Sequence, residues 1–300
     1  MVQTLLQDRP PMHARPSISV ETAAQALAQW WEMAGLDPID LSHVHRLRAQ
    51  ALKRTIEPSP PVAPKITPAR ATPVRKPVDA LAQAHALAAA CSSLDALEKA
   101  LAGFDGCGLR AHARNLVFAG GRAGAPIMVV ADAAGRDDDE VGLPFQGLEG
   151  ELMARMLASI GIDKDGDCYQ ACLIPWRPPG GRQATTEEIA VCRPFLMRHI
   201  ALAAPRALLL VGGLTAQAVL GTSESVMKLR TRSFDHPIDG EGGPGAGLQA
   251  NTAYTQCLLS PDYLMKRPRD KAAAWQDLCR FRDKISAMGI ALTGKNRAKG

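Results

Sequence analysis

Beyond residue 110 the chain settles into one rhythm, in which short continuous apolar runs are each followed by a stretch of helical periodicity. The runs are Leu116–Ala119, Ile127–Ala131, Cys168–Ile174, Ala207–Val211 and Thr255–Leu259. Helical segments over Leu152–Ile160, Thr186–Ala203, Leu214–Leu220 and Lys271–Ile290 alternate with them. A run that is apolar at nearly every position, rather than at every second one, must be covered on both faces. Helices lying between such runs supply the crossovers that parallel strands require. The pattern predicts an α/β fold of three layers, α/β/α, around a central mostly parallel sheet of four or more strands. A helical pair over Asp79–Ala90 and Ser93–Leu101, the second capped by Ser93, leads into it.

The residues before this pair read differently. Ser19 is placed to cap a helix over Val20–Ala34, whose Leu27, Trp30, Trp31 and Ala34 form an apolar stripe ending at Gly35, and a second helical stretch covers Leu41–Lys53. Between Glu57 and Pro77 stand seven prolines and four lysines or arginines, with almost no large apolar side chain. That composition is a solvated, semi-extended tether. The expected organisation is an N-terminal helical segment (1–56), a Pro-rich basic linker (57–78), an α/β domain (79–290) and a basic tail (291–300). Asp239–Gly247 reads as a Gly-rich insertion loop.

Composition narrows the class. Aromatic residues make up only 4% of the 300, so the core must be aliphatic. No apolar run approaches the roughly 18 residues of a membrane span, and no basic stretch followed by an apolar one marks a secretory leader. Seven cysteines in a long chain of this kind read as reduced thiols, and a cytoplasmic monomer is expected. A net charge of +5 suits a polyanionic partner without requiring one.

The residues that carry chemistry sit at the ends of the apolar runs. Ala131-Asp132-Ala133-Ala134-Gly135 closes the second run, and Gly142-Leu143-Pro144-Phe145-Gln146-Gly147 follows it. Downstream come Trp176-Arg177-Pro178-Pro179-Gly180-Gly181-Arg182, then Glu188-Ile189-Ala190-Val191-Cys192-Arg193-Pro194-Phe195-Leu196. Pro205-Arg206-Ala207-Leu208-Leu209-Leu210-Val211-Gly212-Gly213 and Ser260-Pro261-Asp262-Tyr263-Leu264-Met265-Lys266 complete the series. These five blocks, in this order and at this spacing, resemble the uracil-DNA glycosylase superfamily, its family 4 branch. There the first block reads Gly-Glu-Ala-Pro-Gly followed by Gly-x-Pro-Phe-x-Gly, and the last reads His-Pro-x-Tyr-Leu-Leu-Arg. The likeness spans about Ser93 to Leu278.

The resemblance implies a protein that draws a nucleotide out of the DNA stack, holds the base in a pocket and cleaves its N-glycosidic bond. It assigns base stacking to Phe145, although a loop phenylalanine can equally plug a core. Asp132 takes the place of the catalytic glutamate and is one methylene shorter; an aspartate bonded to the turn after a strand is the plain alternative. Cys172 falls where an asparagine reads the uracil edge, and a thiol offers no paired donor and acceptor. A small buried strand residue is the competing reading. Ser260 stands in for the histidine that stabilises the departing base, or it simply opens a turn before proline. The upstream pair His236-Pro237 lacks the following Tyr-Leu and is a poor substitute.

Arg177, Arg182, Arg230 and Lys266 are the expected DNA contacts, weak and salt-dependent, with ordinary surface charge as the alternative. The resemblance also implies an iron–sulfur cluster held by four cysteines, but the four positions here read Phe104, Cys107, Trp176 and Cys192. Half the ligands are gone, so no cofactor is expected and Cys107 and Cys192 are remnants. Phe104-Asp105-Gly106-Cys107 and Pro175-Trp176-Arg177-Pro178 resemble a cluster-free alphaproteobacterial branch. Two readings follow. One is a DNA- or nucleobase-binding protein whose uracil excision is weak or lost; the other is a working DNA glycosylase for uracil or another deaminated base in base-excision repair.

Overall fold

The computed structural model describes residues 77–238 and 252–293. The expected N-terminal helices, nearly all of the linker, the Gly-rich insertion and most of the basic tail lie outside the described residues.

Four parallel strands form the centre of a six-stranded sheet: β2 (Ile127–Ala133), β3 (Cys168–Ile174), β4 (Ala207–Val211) and β6 (Thr252–Leu258). The order across the sheet is β1-β3-β2-β4-β6-β5. The two edge strands, β1 (Gly120–Gly121) and β5 (Ser233–Pro237), run antiparallel to their neighbours. The expected strand at Leu116–Ala119 does not form. Val117 donates one backbone hydrogen bond to the Pro175 carbonyl at 2.9 Å and is fully buried, but no ladder follows, and pairing begins only at the two glycines. Strand β5 was not anticipated, because its sequence, Ser-Phe-Asp-His-Pro, is half exposed and ends in proline, as an edge strand tolerates.

The absence of alternation in the strands is explained by two cores. Met128, Val130, Leu208, Leu210 and Cys257 point to one side, against α1 (Pro77–Ala90), α2 (Leu94–Gly103), α5 (Thr186–Ala203) and α6 (Gly213–Leu220). Ile127, Val129, Leu209, Val211 and Leu258 point to the other. There they meet Met153 and Leu157 of α4 (Gly147–Ala158), Leu264 of α8 (Pro261–Lys266), and Leu278, Phe281 and Ile285 of α9 (Lys271–Ala287). The molecule is thus the expected three-layer α/β/α arrangement.

Local chemistry fixes the helix starts. Ser93 caps α2, its Oγ accepting the Ala96 N–H at 3.2 Å. Thr185 and Glu188 form a reciprocal capping box on α5, with the Glu188 N–H given to Thr185 Oγ1 and the Thr185 N–H to Glu188 Oε2. Among the described residues no helix is long and apolar enough to cross a membrane.

Candidate functional site

A cleft of about 630 Å³ opens at the carboxyl end of the parallel strands, where open α/β sheets place their ligands. Its floor is the last residues of β2 (Ala131–Ala133), β4 (Val211) and the segment after β6 (Leu259, Ser260). Phe145, Glu149, Arg177, Arg182, Tyr263 and Lys266 stand around it. Three of the expected site residues, Asp132, Phe145 and Ser260, therefore meet in one cavity.

Phe145 is held there by its loop. The short helix α3 (Arg136–Val141) ends at Gly142, whose φ of 81° turns the chain back, and Phe145 itself adopts φ 56°, a backbone region unusual for a side chain of this size. Asp138 secures the turn with both oxygens, Oδ2 accepting the Gly135 N–H at 2.9 Å and Oδ1 the Gln146 N–H at 2.7 Å. Burial raises its proton affinity and the two N–H groups oppose that shift. Next to it, Asp139 Oδ1 accepts the N–H groups of Arg114 and Asn115. Gly150 completes the fit, since a Cβ there would lie 1.8 Å from the Phe145 carbonyl oxygen. The supporting aspartates were not anticipated from the sequence. Their signal was present as an aspartate three residues after Gly135, the spacing of a capping interaction.

Asp132 is committed elsewhere. Its Oδ1 accepts the Thr215 N–H at 2.7 Å, and the N–H groups of Leu214 and Gly213 also face the carboxylate. The N-cap residue of α6 is Gly212, which has no side chain to cap with. Asp132 reaches across from β2 and does the capping instead. Gly212, at φ 114°, leaves the space for it, because a Cβ would meet Asp132 Oδ2 at 2.2 Å. Burial pushes the Asp132 carboxyl above the ordinary carboxylate range, and the three N–H groups pull it part of the way back. The charge it carries when ionised is met by the positive end of the helix.

Ser260 caps α8, its Oγ accepting the Tyr263 N–H at 3.3 Å, which leaves the hydroxyl proton available to the cleft. Cys172, expected to read the base, does not line the cleft. It lies beneath it, buried with Val117, Ala134 and Ala131, and burial pushes its thiol well up. It pairs with Ala131, which does line the cleft, so register alone does not hide it; Val117 and Ala134 pack against it and keep it in the layer below.

The expected DNA contacts divide. Arg177 lines the cleft and has no ion-pair partner among the described residues. Arg182 forks onto Glu188 at 2.8 and 2.6 Å, and Lys266 pairs with Asp262 at 2.7 Å, though both cations remain substantially exposed. Arg230 is a correction. It is buried, with its Nε and Nη2 on the Asp277 carboxylate at 2.6 and 2.9 Å and Nη2 also on the Ala273 carbonyl. A guanidinium spent in this way holds α9 to the end of the short helix α7 (Val226–Leu229) before β5 and is not available to a phosphate.

The cluster positions do not fit a four-thiolate iron–sulfur centre. Phe104, Cys107, Trp176 and Cys192 are all buried in one apolar core, where Phe104 packs on Phe195 with ring centroids 5.0 Å apart. A Cβ at Gly106 would lie 2.4 Å from the tip of the Phe104 ring, so the aromatic fills the space beside Cys107. Two thiols and two aromatic rings cannot supply four sulfur ligands.

The family model for the uracil DNA glycosylase superfamily matches residues 118–279, which hold every strand of the sheet and the whole cleft. The chain belongs to the uracil DNA glycosylase superfamily. Within the superfamily it is similar to the type-4 uracil-DNA glycosylase of Pyrobaculum aerophilum, at 28% identity over 63% of this chain and 92% of the relative. It is 35% identical to that of Archaeoglobus fulgidus over 42% of this chain and 63% of the relative. Thermotoga maritima has a third type-4 relative, 31% identical over 46% and 69%. The chain is thus a superfamily member related to the type-4 enzymes, with a cleft at the carboxyl end of its sheet in which Asp132 caps a helix.

Proposed function

We propose that the chain binds DNA across this cleft and takes an unstacked base against Phe145, with uracil excision weak or lost. The observation that carries this reading is the engagement of Asp132 by the first turn of α6. A carboxylate that serves glycosidic cleavage must offer its charge to a cationic sugar or its oxygen to a water. Here burial disfavours the charge, and the first-turn N–H groups of α6 face the carboxylate, Oδ1 accepting that of Thr215. The absence of an amide at the Cys172 position removes a second requirement, reading of the uracil edge. The proposal includes a cytoplasmic monomer whose DNA affinity is modest and carried by phosphate contacts.

One observation favours a second reading, a working glycosylase for uracil or another deaminated base. Ser260 lines the cleft with Phe145, and its hydroxyl proton, which the helix cap does not use, is free to be donated to a departing base.

Among the described residues Arg177 is the cleft cation without an internal partner, so its loss should matter more than that of Arg182 or Lys266. Arg177→Ala is expected to weaken DNA binding and to lower the salt slope by about 0.9, the share of one phosphate contact. Titrations of a labelled oligonucleotide at several salt concentrations measure both, and an unchanged slope contradicts the DNA path. For the cluster positions, the purified protein is expected to be colourless and iron-free. Elemental analysis checks this, and stoichiometric iron with a thiolate-to-iron absorption band is the contrary result.

A further inference from the structure

Four carboxylates line the cleft: Asp132, Asp138, Glu149 and Asp262. Three are already used. Asp132 caps α6, Asp138 clamps the Phe145 loop, and Asp262 pairs with Lys266. Glu149 is different, because among the described residues it has neither a hydrogen bond nor an ion pair. It is the third residue of α4, four positions after Phe145 on the same loop-to-helix turn. Partial burial of its carboxyl and the negative charge of Asp262 and Asp138 nearby raise its proton affinity, with Lys266 opposing, while the residue as a whole stays exposed to an incoming base.

We propose that Glu149 reads the Watson–Crick edge of the base held against Phe145 and selects the donor-rich edge of guanine. This rests on the cleft being a base pocket, as argued above. An ionised carboxylate only accepts hydrogen bonds. Uracil presents one N–H between two carbonyl oxygens, so one carboxylate oxygen would be forced against a carbonyl. Guanine presents N1–H and an N2 amino proton side by side, a pair of donors that two carboxylate oxygens can accept together. Any base that cannot donate leaves Glu149 desolvated and unpaired, which is a penalty as well as a lost contact.

The amides near the cleft do not offer an obvious uracil reader. Gln217 turns its Nε2 away to the carbonyls of Ser223 and Glu224, so its amide cannot give the paired donor and acceptor a uracil edge needs. Gln183, exposed beside Arg182, is the remaining amide and serves as the control.

The test uses the full chain and fluorescence anisotropy on labelled single-stranded oligothymidylates that differ at one central base: guanine, hypoxanthine or uracil. Hypoxanthine is guanine without the 2-amino group. The native protein is expected to bind the guanine strand at least about fivefold more tightly than the hypoxanthine strand, as a bidentate contact allows. The uracil strand should be weaker than the guanine strand by at least as much. Glu149→Gln should abolish the preference, and Gln183→Ala should keep it. Equal affinity for all three strands, or a preference that survives Glu149→Gln or vanishes with Gln183→Ala, overturns the proposal. Phe145→Ala separates the two levels. Phe145 is also buried in the core with Met153 and Leu157, so the variant is first shown folded by its melting curve. If it then weakens all three strands, the base pocket stands whatever becomes of Glu149; if it changes none, the base-pocket reading itself fails. Glu149 is an exposed helix position, so a melting curve is expected to show Glu149→Gln folded as the native chain is.

Discussion

Arg230→Ala is expected to destabilise the domain by about 3 kcal/mol or more, the usual consequence of leaving a buried charge without its partner. Asp277 is completely buried, and Arg230 meets both of its oxygens. Arg280 also touches Asp277 but is half exposed, so it compensates only in part. The Arg230 backbone is held too, its carbonyl accepting from Gln256 and Arg280. Burial raises the Asp277 carboxyl above its ordinary range, and Arg230 opposes that rise. Removing the arginine therefore raises it further. The sign follows: a carboxyl raised in the folded state contributes stability at low pH and loses it as pH climbs through the folded value. The deficit of Arg230→Ala should be smallest in acid and grow toward neutrality, as denaturant melts at several pH values would measure. The paired change Arg230→Met with Asp277→Leu should recover most of the loss, because an apolar pair of similar volume leaves no charge behind. A variant that melts like the native protein and only loses DNA affinity would return Arg230 to the DNA-contact role that its loop position suggested.

The second large effect concerns chemistry. In single-turnover assays on a uracil-containing oligonucleotide, the chain is expected to release uracil at least about a hundredfold more slowly than a type-4 relative assayed beside it. Misplacement of a reacting group by about 1 Å can cost that much alone. Here the acid is both shortened and turned to α6, and the histidine position holds a capping serine. Effects within one transition state do not simply add, so a hundredfold is a lower bound. Ser260→His should raise release measurably, by returning a donor that can carry charge to the cleft. Cys172→Asn should not help, because that side chain lies under the floor, where an amide without partners costs about 1–3 kcal/mol.

Most of the fold was legible because the central strands are apolar at nearly every position. Cys168–Ile174, Ala207–Val211 and the helix Thr186–Ala203 have the boundaries their sequences suggest. Leu116–Ala119 misled because a short apolar run can be buried without being paired, and β5 was missed because half of its residues face solvent. The convergence of Asp132, Phe145 and Ser260 could be read from their positions at strand ends. The use of each side chain could not. Asp132 as a cap depends on Gly212 being empty, and the burial of Arg230 depends on Asp277, 47 residues away in the chain. Such pairings are set by tertiary packing, which leaves no local pattern. Cys172 lies under the floor because Val117 and Ala134 pack against it, which one sequence does not reveal.

The most direct test compares native protein and Asp132→Asn on the same uracil-containing oligonucleotide, following base release in single turnover. An asparagine keeps an oxygen to accept the Thr215 N–H, so the cap and the fold should survive while the charge is removed. The expected result is release that is slow in the native protein and unchanged, within about twofold, in Asp132→Asn, with DNA binding intact in both. Fast release by the native protein that collapses in Asp132→Asn would contradict the account, and would make Asp132 the working acid of an active glycosylase.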